Sequence, residues 1–374
     1  MRDNPHIYFD NNAATRLSPS VETWLKDNFI TYYANPSSLH LLGQKLKDMI
    51  ANDRRCIANF IGTNAKNIFF TSGATESINS VLQPIFLQEH GIEIVLTSRL
   101  EHSAVSSCVE RLKRHSIRVL YINNDADGML CPEHLSAQVK AHPHALVTLL
   151  GANNETGVVQ DVAQLTAICR AQDCLVHLDG VQMLGKLPVN LEEMGVDYAS
   201  FSAHKIGGLK GMGVTYAREP AQFTPLIIGG GQEEGLRGGT YNAGAIRSLR
   251  LALEDTRHWD LEKIASMRDF FECAVKNLKT KAQINCENSF RLCNTSNIHL
   301  PNQPADAMVM ELARRGIYVA TGSACHGAEP SHVLQGLGFN KDYAASCLRF
   351  SFANFNHSAE IEYALEVLHE VIDS

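Results

Sequence analysis

The sequence predicts an α/β protein organised around a mostly parallel sheet with helices on both faces. Short, continuous apolar runs typical of buried strands recur through the first half of the chain, at residues 68–70, 92–96, 119–122, 146–150, 175–178 and 198–201. Helix-forming stretches separate most of these runs, for example at residues 103–114, 132–141 and 162–171. Continuous apolar strands that alternate with helices are typical of parallel sheets that are covered on both faces.

Shorter elements on either side of this region predict a second, smaller α/β domain. A strand is expected at residues 7–9 and a helix at about residues 18–30, since Ser18 can cap a helix and Pro19 suits its first turn. A long helical region covers about residues 242–279, and short strands and helices follow, with a final helix from Ser358. We expect a large domain at residues 15–255 and a small domain formed by residues 1–14 and 256–374.

Composition restricts the classes of function. The chain of 374 residues has a formal net charge of −7, which argues against a dedicated nucleic-acid or anionic-membrane surface. No apolar run approaches membrane-spanning length, and the N-terminal residues are polar, unlike a signal peptide. The ten cysteines include no C-x-x-C pair, which favours reduced thiols over a disulfide framework or a zinc site. The expected compartment is the cytoplasm.

A polar stretch that follows the last predicted strand contains a candidate nucleophile, Lys205. A lysine that is desolvated or lies near other cations can form a Schiff base with a carbonyl group. Ser202 and His204 are placed to hold an anion beside that amine. A solvated loop with an ordinary surface lysine is the alternative interpretation.

The turn at residues 71–77 follows a predicted strand and opens a helix. Small residues, a hydroxyl group and unpaired N–H groups at a helix N-terminus form an anion site, here around Ala74 and Thr75. A plain capped turn explains the same residues equally well. No Gly-Lys-Ser/Thr follows, and no G-x-G-x-x-G stands at the first strand turn, so a P-loop and a dinucleotide site are not supported.

Four further polar side chains follow predicted strands, where parallel sheets gather ligand chemistry. His102 can stack on a flat ligand or move a proton, although a capping histidine is the commoner case. Asn154 can hydrogen-bond a carboxylate or a phenolate oxygen, or it can simply form a turn. Asp179 can pair with a protonated ring nitrogen, with Gln182 as a nearby donor, or it can cap a helix.

Later features in the chain also have two interpretations each. The glycine-rich segments 228–233 and 237–240 suit close approach to a ligand or a partner subunit, or form a surface loop. Cys325 lies among small residues that leave a thiol accessible, yet nine other cysteines make a single thiol weak evidence. Arg349 lies in an apolar run and needs a partner, either a substrate carboxylate or an internal carboxylate.

Taken together and in order along nearly the whole chain, these residues resemble the cysteine desulfurases of the NifS/IscS type, pyridoxal-phosphate enzymes related to class V aminotransferases. The matching segments are residues 10–13, 35–40, 73–77, 101–102, 153–155, 179, 182, 202–205, 229–233, 322–325 and 349. The resemblance implies the fold-type I pyridoxal-phosphate transferase fold, with a seven-stranded sheet in the large domain. It also implies that the small domain carries the loop with the catalytic cysteine.

The resemblance also implies roles for individual residues. Lys205 would hold pyridoxal 5'-phosphate covalently and later move protons, Asp179 would pair with the pyridine nitrogen, Gln182 would bind the ring hydroxyl, and His102 would stack on the ring. Ala74, Thr75, Ser202 and His204 would bind the phosphate, together with Thr240 from the neighbouring subunit of a homodimer. Asn154 and Arg349 would hold the substrate carboxylate.

The implied activity is a sulfurtransferase reaction that converts L-cysteine to L-alanine. Cys325 would attack the substrate sulfur and carry it as a persulfide to an acceptor protein, with His102 as a candidate acid/base for the thiol protons. Two departures from the family concern this transfer: Glu234 stands where a basic residue is common, and the stretch from Cys325 to Pro330 is shorter than in many relatives. A shorter loop reduces the reach of Cys325.

The sequence is compatible with several sulfur acceptors and with two alternative functions. An iron–sulfur scaffold, a tRNA-thiolating enzyme and a DNA sulfur-modification component are all compatible with the sequence, while direct nucleic-acid or membrane binding is not expected. A selenocysteine lyase or an aminotransferase on the same scaffold is the second hypothesis. A non-catalytic sulfur-assembly partner is the third, and the presence of Lys205 argues against it.

Overall fold

A seven-stranded sheet forms the centre of the larger part of the molecule. The computed structural model describes residues 6–322 and 329–373. After a short first strand, β1 (Ile7–Tyr8), the strands of this sheet are β2 (Ile68–Thr71), β3 (Ile94–Thr97), β4 (Arg118–Tyr121), β5 (Leu146–Leu150), β6 (Leu175–Asp179), β7 (Tyr198–Ser202) and β8 (Gly213–Ala217). Their order is β2-β8-β7-β6-β5-β3-β4, and β8 runs antiparallel to both of its neighbours while the other pairs are parallel.

The predicted α/β class and mostly parallel sheet are therefore confirmed. Strand β8 was not among the predicted apolar runs, because its sequence alternates apolar residues with Thr215 and begins at a glycine. Successive side chains of the strands enter two separate apolar clusters: Phe69 and Val95 pack in one, while Phe70 and Leu96 pack in the other. This alternation buries both faces of the sheet.

Nine helices described in this part of the chain pack around the sheet. They are α1 (Pro19–Asn28), α2 (Leu41–Phe60), α3 (Ala74–Val81), α4 (Pro84–Glu89), α5 (Ser103–Leu112), α6 (Pro132–Ala141), α7 (Val162–Arg170), α8 (Leu191–Met194) and α9 (Ala243–Thr256). The predicted side-chain cap at Ser18 is wrong, because its buried hydroxyl makes no hydrogen bond to the described residues and only its main-chain oxygen accepts, from Glu22 N. None of the described helices combines the length and apolarity that crossing a membrane requires.

A smaller sheet lies among the C-terminal elements. The strands are β9 (Gln283–Ile284), β10 (Thr295–His299), β11 (Ile317–Tyr318), β12 (Ala320–Thr321) and β13 (Cys347–Ser351), and the helices are α10 (Leu261–Lys276), α11 (Ala305–Arg314), α12 (His332–Gly336), α13 (Lys341–Ala344) and α14 (Ser358–Asp373). Four strands form a sheet in the order β12-β13-β10-β9, and β11 pairs in parallel with β1. The N-terminal strand thus lies beside C-terminal elements, while the domain division at residue 255 stays a prediction.

The strand register brings the polar motifs to one edge of the large sheet. Asp179 at the end of β6 is opposite Ser200, two residues before the end of β7. Ser202 is opposite Gly213, where β8 begins, and Gly213 is also opposite Thr71, where β2 ends. The backbones meet closely here, since a Cβ atom on Gly213 would lie 2.5 Å from the Cα atom of Gly73. Turns from three neighbouring strands therefore converge at this edge.

Candidate active site

Lys205 lies in a short 3-10 turn, Ala203–Lys205, directly after β7. Its Nζ donates hydrogen bonds to the main-chain oxygens of Asn12 at 2.6 Å and Ala13 at 2.9 Å. The side chain is partly buried, and the two oxygens belong to the N-terminal segment, which crosses the edge of the large sheet. The interpretation of Lys205 as an ordinary solvated surface lysine is therefore wrong.

The start of α3 lies against the end of β7. Ala74 N donates to Ser202 Oγ at 2.8 Å, so the hydroxyl proton of Ser202 remains to be donated to a ligand. Thr75 is exposed in the first turn of the same helix, whose N-terminus favours negative charge. Burial, with smaller contributions from Lys205 and Lys210, lowers the pKa of His204 to about 4.

Asp179 is the last residue of β6, and Gln182 follows it by three residues. Both side chains are buried, each with 2% of its surface exposed. Asp179 Oδ1 accepts a hydrogen bond from Val181 N at 3.1 Å. Desolvation raises the pKa of Asp179 to about 6, opposed by that hydrogen bond and by Lys205. A cation next to the Asp179 carboxyl group would lower its pKa again and favour the charged form.

His102 is the N-cap of α5, because its Nδ1 accepts a hydrogen bond from Ala104 N at 3.1 Å. The commoner alternative considered for this residue, a capping histidine, is therefore present. With its Nδ1 lone pair used by an amide, the neutral ring carries its proton on Nε2.

Arg349 and Asn154 meet next to the start of the cysteine loop. Arg349 is 1% exposed, and its Nη2 contacts Asp10 Oδ1 at 2.6 Å. Its Nη1 donates to Asn154 O at 3.1 Å and Gly322 O at 3.2 Å. The internal salt bridge considered as an alternative is thus present, yet Arg349 Nε and Asn154 Oδ1 are buried without a hydrogen-bond partner among the described residues.

Cys325 lies outside the described residues, but the chain on its C-terminal side is held near the site. The hydroxyl of Ser331 contacts the buried carboxylate of Glu155, and His332 Nε2 lies 2.9 Å from Glu101 O. Both partners belong to loops after β3 and β5. Ser331 and His332 are therefore attached to the same edge of the large sheet.

Several residues of the site were given no role on sequence grounds. Asn12 supplies an acceptor to Lys205, Asp10 pairs with Arg349, and Lys186 contacts Gln182. The carboxyl group of Glu101 is also buried, with desolvation and then Asp179 raising its pKa to about 8. Asn12 and Asp10 contact residues far along the chain, whereas Lys186 contacts Gln182 only four residues away.

Thr240 lies apart from these contacts, on the surface. It follows Arg237, whose Nε contacts Glu76 Oε1 at 3.0 Å, and Gly239, whose N donates to Gln232 Oε1 at 3.0 Å. The loop is thereby fixed beside α3 while the Thr240 side chain is exposed. Among the described residues, no hydrogen bond joins the Thr240 side chain to the pocket around Lys205.

The described residues fit pyridoxal phosphate. The pocket combines an amine, an anion site at a helix N-terminus and a buried carboxylate, which match the cofactor's aldehyde, phosphate and pyridine nitrogen respectively. The unpartnered Arg349 Nε and Asn154 Oδ1 supply polar groups for a further ligand. The amine, the carboxylate and the anion site all lie at one edge of the sheet.

Comparison with known proteins agrees with this geometry. The family model described as aminotransferase class-V matches residues 7–364. A cysteine desulfurase from Nostoc sp. is 33% identical over 372 residues, which cover 98% of this chain and 93% of the relative. A solved NifS-like protein has a TM-score of 0.89 at 34% identity, covering 98% of this chain and 99% of its own. The structure described as SspA in complex with cysteine has a TM-score of 0.82 at 29% identity, covering 94% of this chain and 100% of its own.

The chain belongs to the aminotransferase class-V family of pyridoxal-phosphate enzymes. Within that family it is a cysteine desulfurase, as the resemblance in the sequence implied. The predicted cofactor and fold type are confirmed with it.

Proposed function

We propose that this cysteine desulfurase converts L-cysteine to L-alanine and carries the sulfur as a persulfide on Cys325 before passing it to an acceptor protein. One observation carries the proposal: Lys205 Nζ is held by the Asn12 and Ala13 carbonyls at the sheet edge that also carries the start of α3 and the buried carboxylate of Asp179. This is the arrangement that an aldehyde cofactor with a phosphate and a basic ring nitrogen requires.

Each end of the cofactor has a matching group. Lys205 would attach it, and the start of α3 at Ala74 and Thr75, the Ser202 hydroxyl and His204 would hold the phosphate. His102 stacks on the ring. The bound cofactor supplies an electron sink that stabilises negative charge at the substrate Cα.

Asp179 keeps the ring nitrogen protonated. Burial alone favours the neutral acid, as its pKa of about 6 indicates. A cation held against the carboxylate lowers that pKa, and the carboxylate in turn raises the basicity of the nitrogen. Gln182, three residues later on the same turn, donates to the ring hydroxyl.

The substrate carboxylate binds at Arg349 and Asn154. Arg349 Nη2 is already paired with Asp10, so the unpartnered Arg349 Nε and the Nδ2 group of the Asn154 amide are the donors offered to the substrate carboxylate. A charged hydrogen bond in a buried site is stronger than a neutral one and orients the amino acid. With its carboxylate fixed in this way, the substrate presents its Cα proton to the Lys205 amine.

Sulfur leaves by attack of the Cys325 thiolate on the sulfur atom of the substrate. A sulfur–sulfur bond forms and the carbon–sulfur bond breaks, with its electron pair remaining on the substrate carbon. That carbon takes up a proton to give alanine, so L-cysteine and the Cys325 thiol become L-alanine and a Cys325 persulfide. No outside oxidant or reductant is needed.

A homodimer completes the phosphate site in this proposal. Leu39, Leu41 and Ile228 are exposed apolar side chains, and Leu39 and Gly231 line one groove of about 440 Å³ close to the loop of Thr240. Exposed apolar surface of this kind is typical of protein interfaces. We place the second copy of the chain on it, with Thr240 reaching the neighbouring phosphate.

Mixed dimers test the placement of Thr240. If Thr240 acts in the neighbouring site, combining Thr240→Ala and Lys205→Ala subunits produces mixed dimers with one complete site each, and a random one-to-one mixture recovers about a quarter of the wild-type activity. If Thr240 acts within its own subunit, mixing restores nothing. Either result is read directly from the alanine formed by the mixture.

The acceptor is a protein of sulfur metabolism, such as an iron–sulfur scaffold, a tRNA-thiolation component or a DNA sulfur-modification component. We place this transfer in the cytoplasm. The nine cysteines of the described residues are all free thiols, which supports a reducing compartment.

The test of the activity uses L-cysteine labelled in its sulfur atom. Wild-type protein loaded with pyridoxal phosphate should release alanine and retain labelled sulfur on the peptide that contains Cys325. Cys325→Ser should lose the label and the turnover, whereas Cys273→Ser, which alters an exposed thiol on α10, should keep both. Label that persists in the Cys325→Ser protein would overturn the proposal.

A further inference from the structure

Lys186 is a buried lysine that the proposed reaction does not use. It follows β6 and is 7% exposed, and the charged groups that act on it are the Cys293 thiol, Lys205 and Arg349. No carboxylate is among them. Burial, assisted by the two cations, lowers the pKa of Lys186 to about 7. A buried amine without an anionic partner is costly, so its presence needs a reason.

The hydrogen bond between Lys186 and Gln182 indicates why a lysine is buried here. Lys186 Nζ donates to Gln182 Oε1 at 2.7 Å, and Gln182 Nε2 donates to Asn12 O at 3.0 Å. An ammonium group has donors only, so it must face the carbonyl side of the amide. The orientation of the Gln182 side chain is therefore determined at both ends.

A primary amide carries two N–H donors, and Asn12 O accepts one of them. The second remains for a ligand on the side of the amide that faces away from Lys186. If the amide turned over, its carbonyl oxygen would face the ligand and repel a phenolate. Lys186 prevents that inversion.

We propose that Lys186 is a positioning residue for the cofactor: its ammonium group fixes the Gln182 amide so that an N–H faces the ring hydroxyl oxygen. This inference rests on the proposed role of Gln182. A ring oxygen with negative charge also supplies, through the polarised amide, the anion that Lys186 lacks. Lys186 therefore favours the ionised form of the ring hydroxyl without touching the cofactor.

The consequence is measurable in the visible absorption of the bound cofactor. A donor to the ionised ring oxygen lowers the pH at which the lysine-bound cofactor loses its proton, and Lys186 acts on that pH by holding the Gln182 N–H in place. Lys186→Met, which keeps the length of the side chain and removes the amine, should raise the midpoint of the absorption change by about one pH unit. Lys186→Arg keeps the charge and should recover part of this shift.

A matched control separates this effect from general destabilisation. Lys263 is a partly buried lysine that donates to Asn354 O at 3.3 Å and Asn356 O at 3.0 Å, outside the site. Lys263→Met should change the thermal stability but not the absorption midpoint. The affinity of the cofactor-free protein for pyridoxal phosphate and its melting temperature are measured in the same variants. Lys186→Leu replaces Lys186→Met if the methionine variant does not fold.

A double-mutant cycle tests whether Lys186 acts through Gln182. In a Gln182→Ala background, Lys186→Met should cause no further shift of the midpoint. An unchanged midpoint in Lys186→Met, or a full additional shift in the Gln182→Ala background, overturns the inference. Failure of the proposed function has a different signature, because Lys205→Ala would then retain the lysine-bound absorption band.

Discussion

Lys205 Nζ donates a hydrogen bond of 2.6 Å to the main-chain oxygen of Asn12, a residue 193 positions earlier in the chain. Gln182 Nε2 donates to the same oxygen at 3.0 Å. The side chain of Asn12 is itself held, since its Nδ2 donates to Thr295 Oγ1 at 2.8 Å and Asn154 O at 3.1 Å. One N-terminal residue thus joins groups of the cofactor pocket to the small sheet.

Asn12→Ala should therefore damage both stability and the site. Asn12 is 1% exposed, so its loss leaves buried partners unsatisfied and should lower the free energy of unfolding by about 1–3 kcal/mol. Denaturant unfolding measures this change, and the KM for L-cysteine should rise with it. Asn277→Ala removes an exposed amide at the end of α10 and should alter neither quantity. If Asn12→Ala and Asn277→Ala changed the free energy of unfolding and the KM equally, the role given to Asn12 would be contradicted.

Ser202→Ala should weaken cofactor binding. The hydroxyl accepts from Ala74 N at 2.8 Å and is the proposed donor to the phosphate, so the variant loses a hydrogen bond to a charged group. Such bonds contribute about 1.5–3 kcal/mol, which corresponds to a loss of affinity of about 10- to 150-fold. Equilibrium binding of pyridoxal phosphate to the cofactor-free protein measures it. Ser106→Ala, whose hydroxyl bonds Ser103 O within α5, should bind as wild type does.

Glu101→Gln should alter the pH dependence of stability in the cofactor-free protein. The native carboxyl keeps its proton up to about pH 8, whereas the unfolded one ionises near pH ~4.3. Between these values the native state binds more protons, so the free energy of unfolding falls as the pH rises. Glu101→Gln removes this group and should show a shallower fall in urea unfolding measured across that window.

The exposed Glu110 on the following helix provides the control for this experiment. Its side chain is 66% exposed and pairs with Lys113, so Glu110→Gln should keep the wild-type slope. A Glu101→Gln protein with that same slope would show that Glu101 is ionised in the native state.

Two substitutions of His102 should separate its capping role from its proposed stacking role. His102→Asn keeps an acceptor for Ala104 N and so preserves the cap of α5, but it removes the ring. His102→Phe keeps a ring for stacking, worth about 0.5–1.5 kcal/mol, and removes the cap. We expect the phenylalanine variant to bind the cofactor more tightly and the asparagine variant to melt at the higher temperature. The reverse order would indicate that stacking is not the role of His102.

The parts of the site that follow buried strands were predictable from the sequence. Asp179 and Ser202 come directly after runs of apolar residues, Lys205 follows Ser202 by three residues, and such runs predict strands well. Parallel strands bring their carboxyl ends to one edge, which is why these residues converge. Strand β8 was not predicted, because its apolar residues alternate with a polar residue and so form no continuous apolar run.

The parts that depend on distant contacts were not predictable in the same way. Nothing in the local sequence around Asn12 indicates that its main-chain oxygen accepts from Lys205. The burial of Lys186 and Glu101 depends on packing of several elements, and charged residues are mostly exposed. His102 has the capping role that the sequence offered as one interpretation, while its stacking role stays a prediction.

The central claim is that Lys205, and not the neighbouring buried amine of Lys186, holds the cofactor. Borohydride reduces the carbon–nitrogen bond between a lysine and an aldehyde cofactor to a stable amine, so peptide mass spectrometry of the reduced protein identifies the attachment point. We predict the modification on the peptide that contains Lys205, and its absence from Lys205→Ala. Modification of Lys186, or of no lysine at all, would contradict the account.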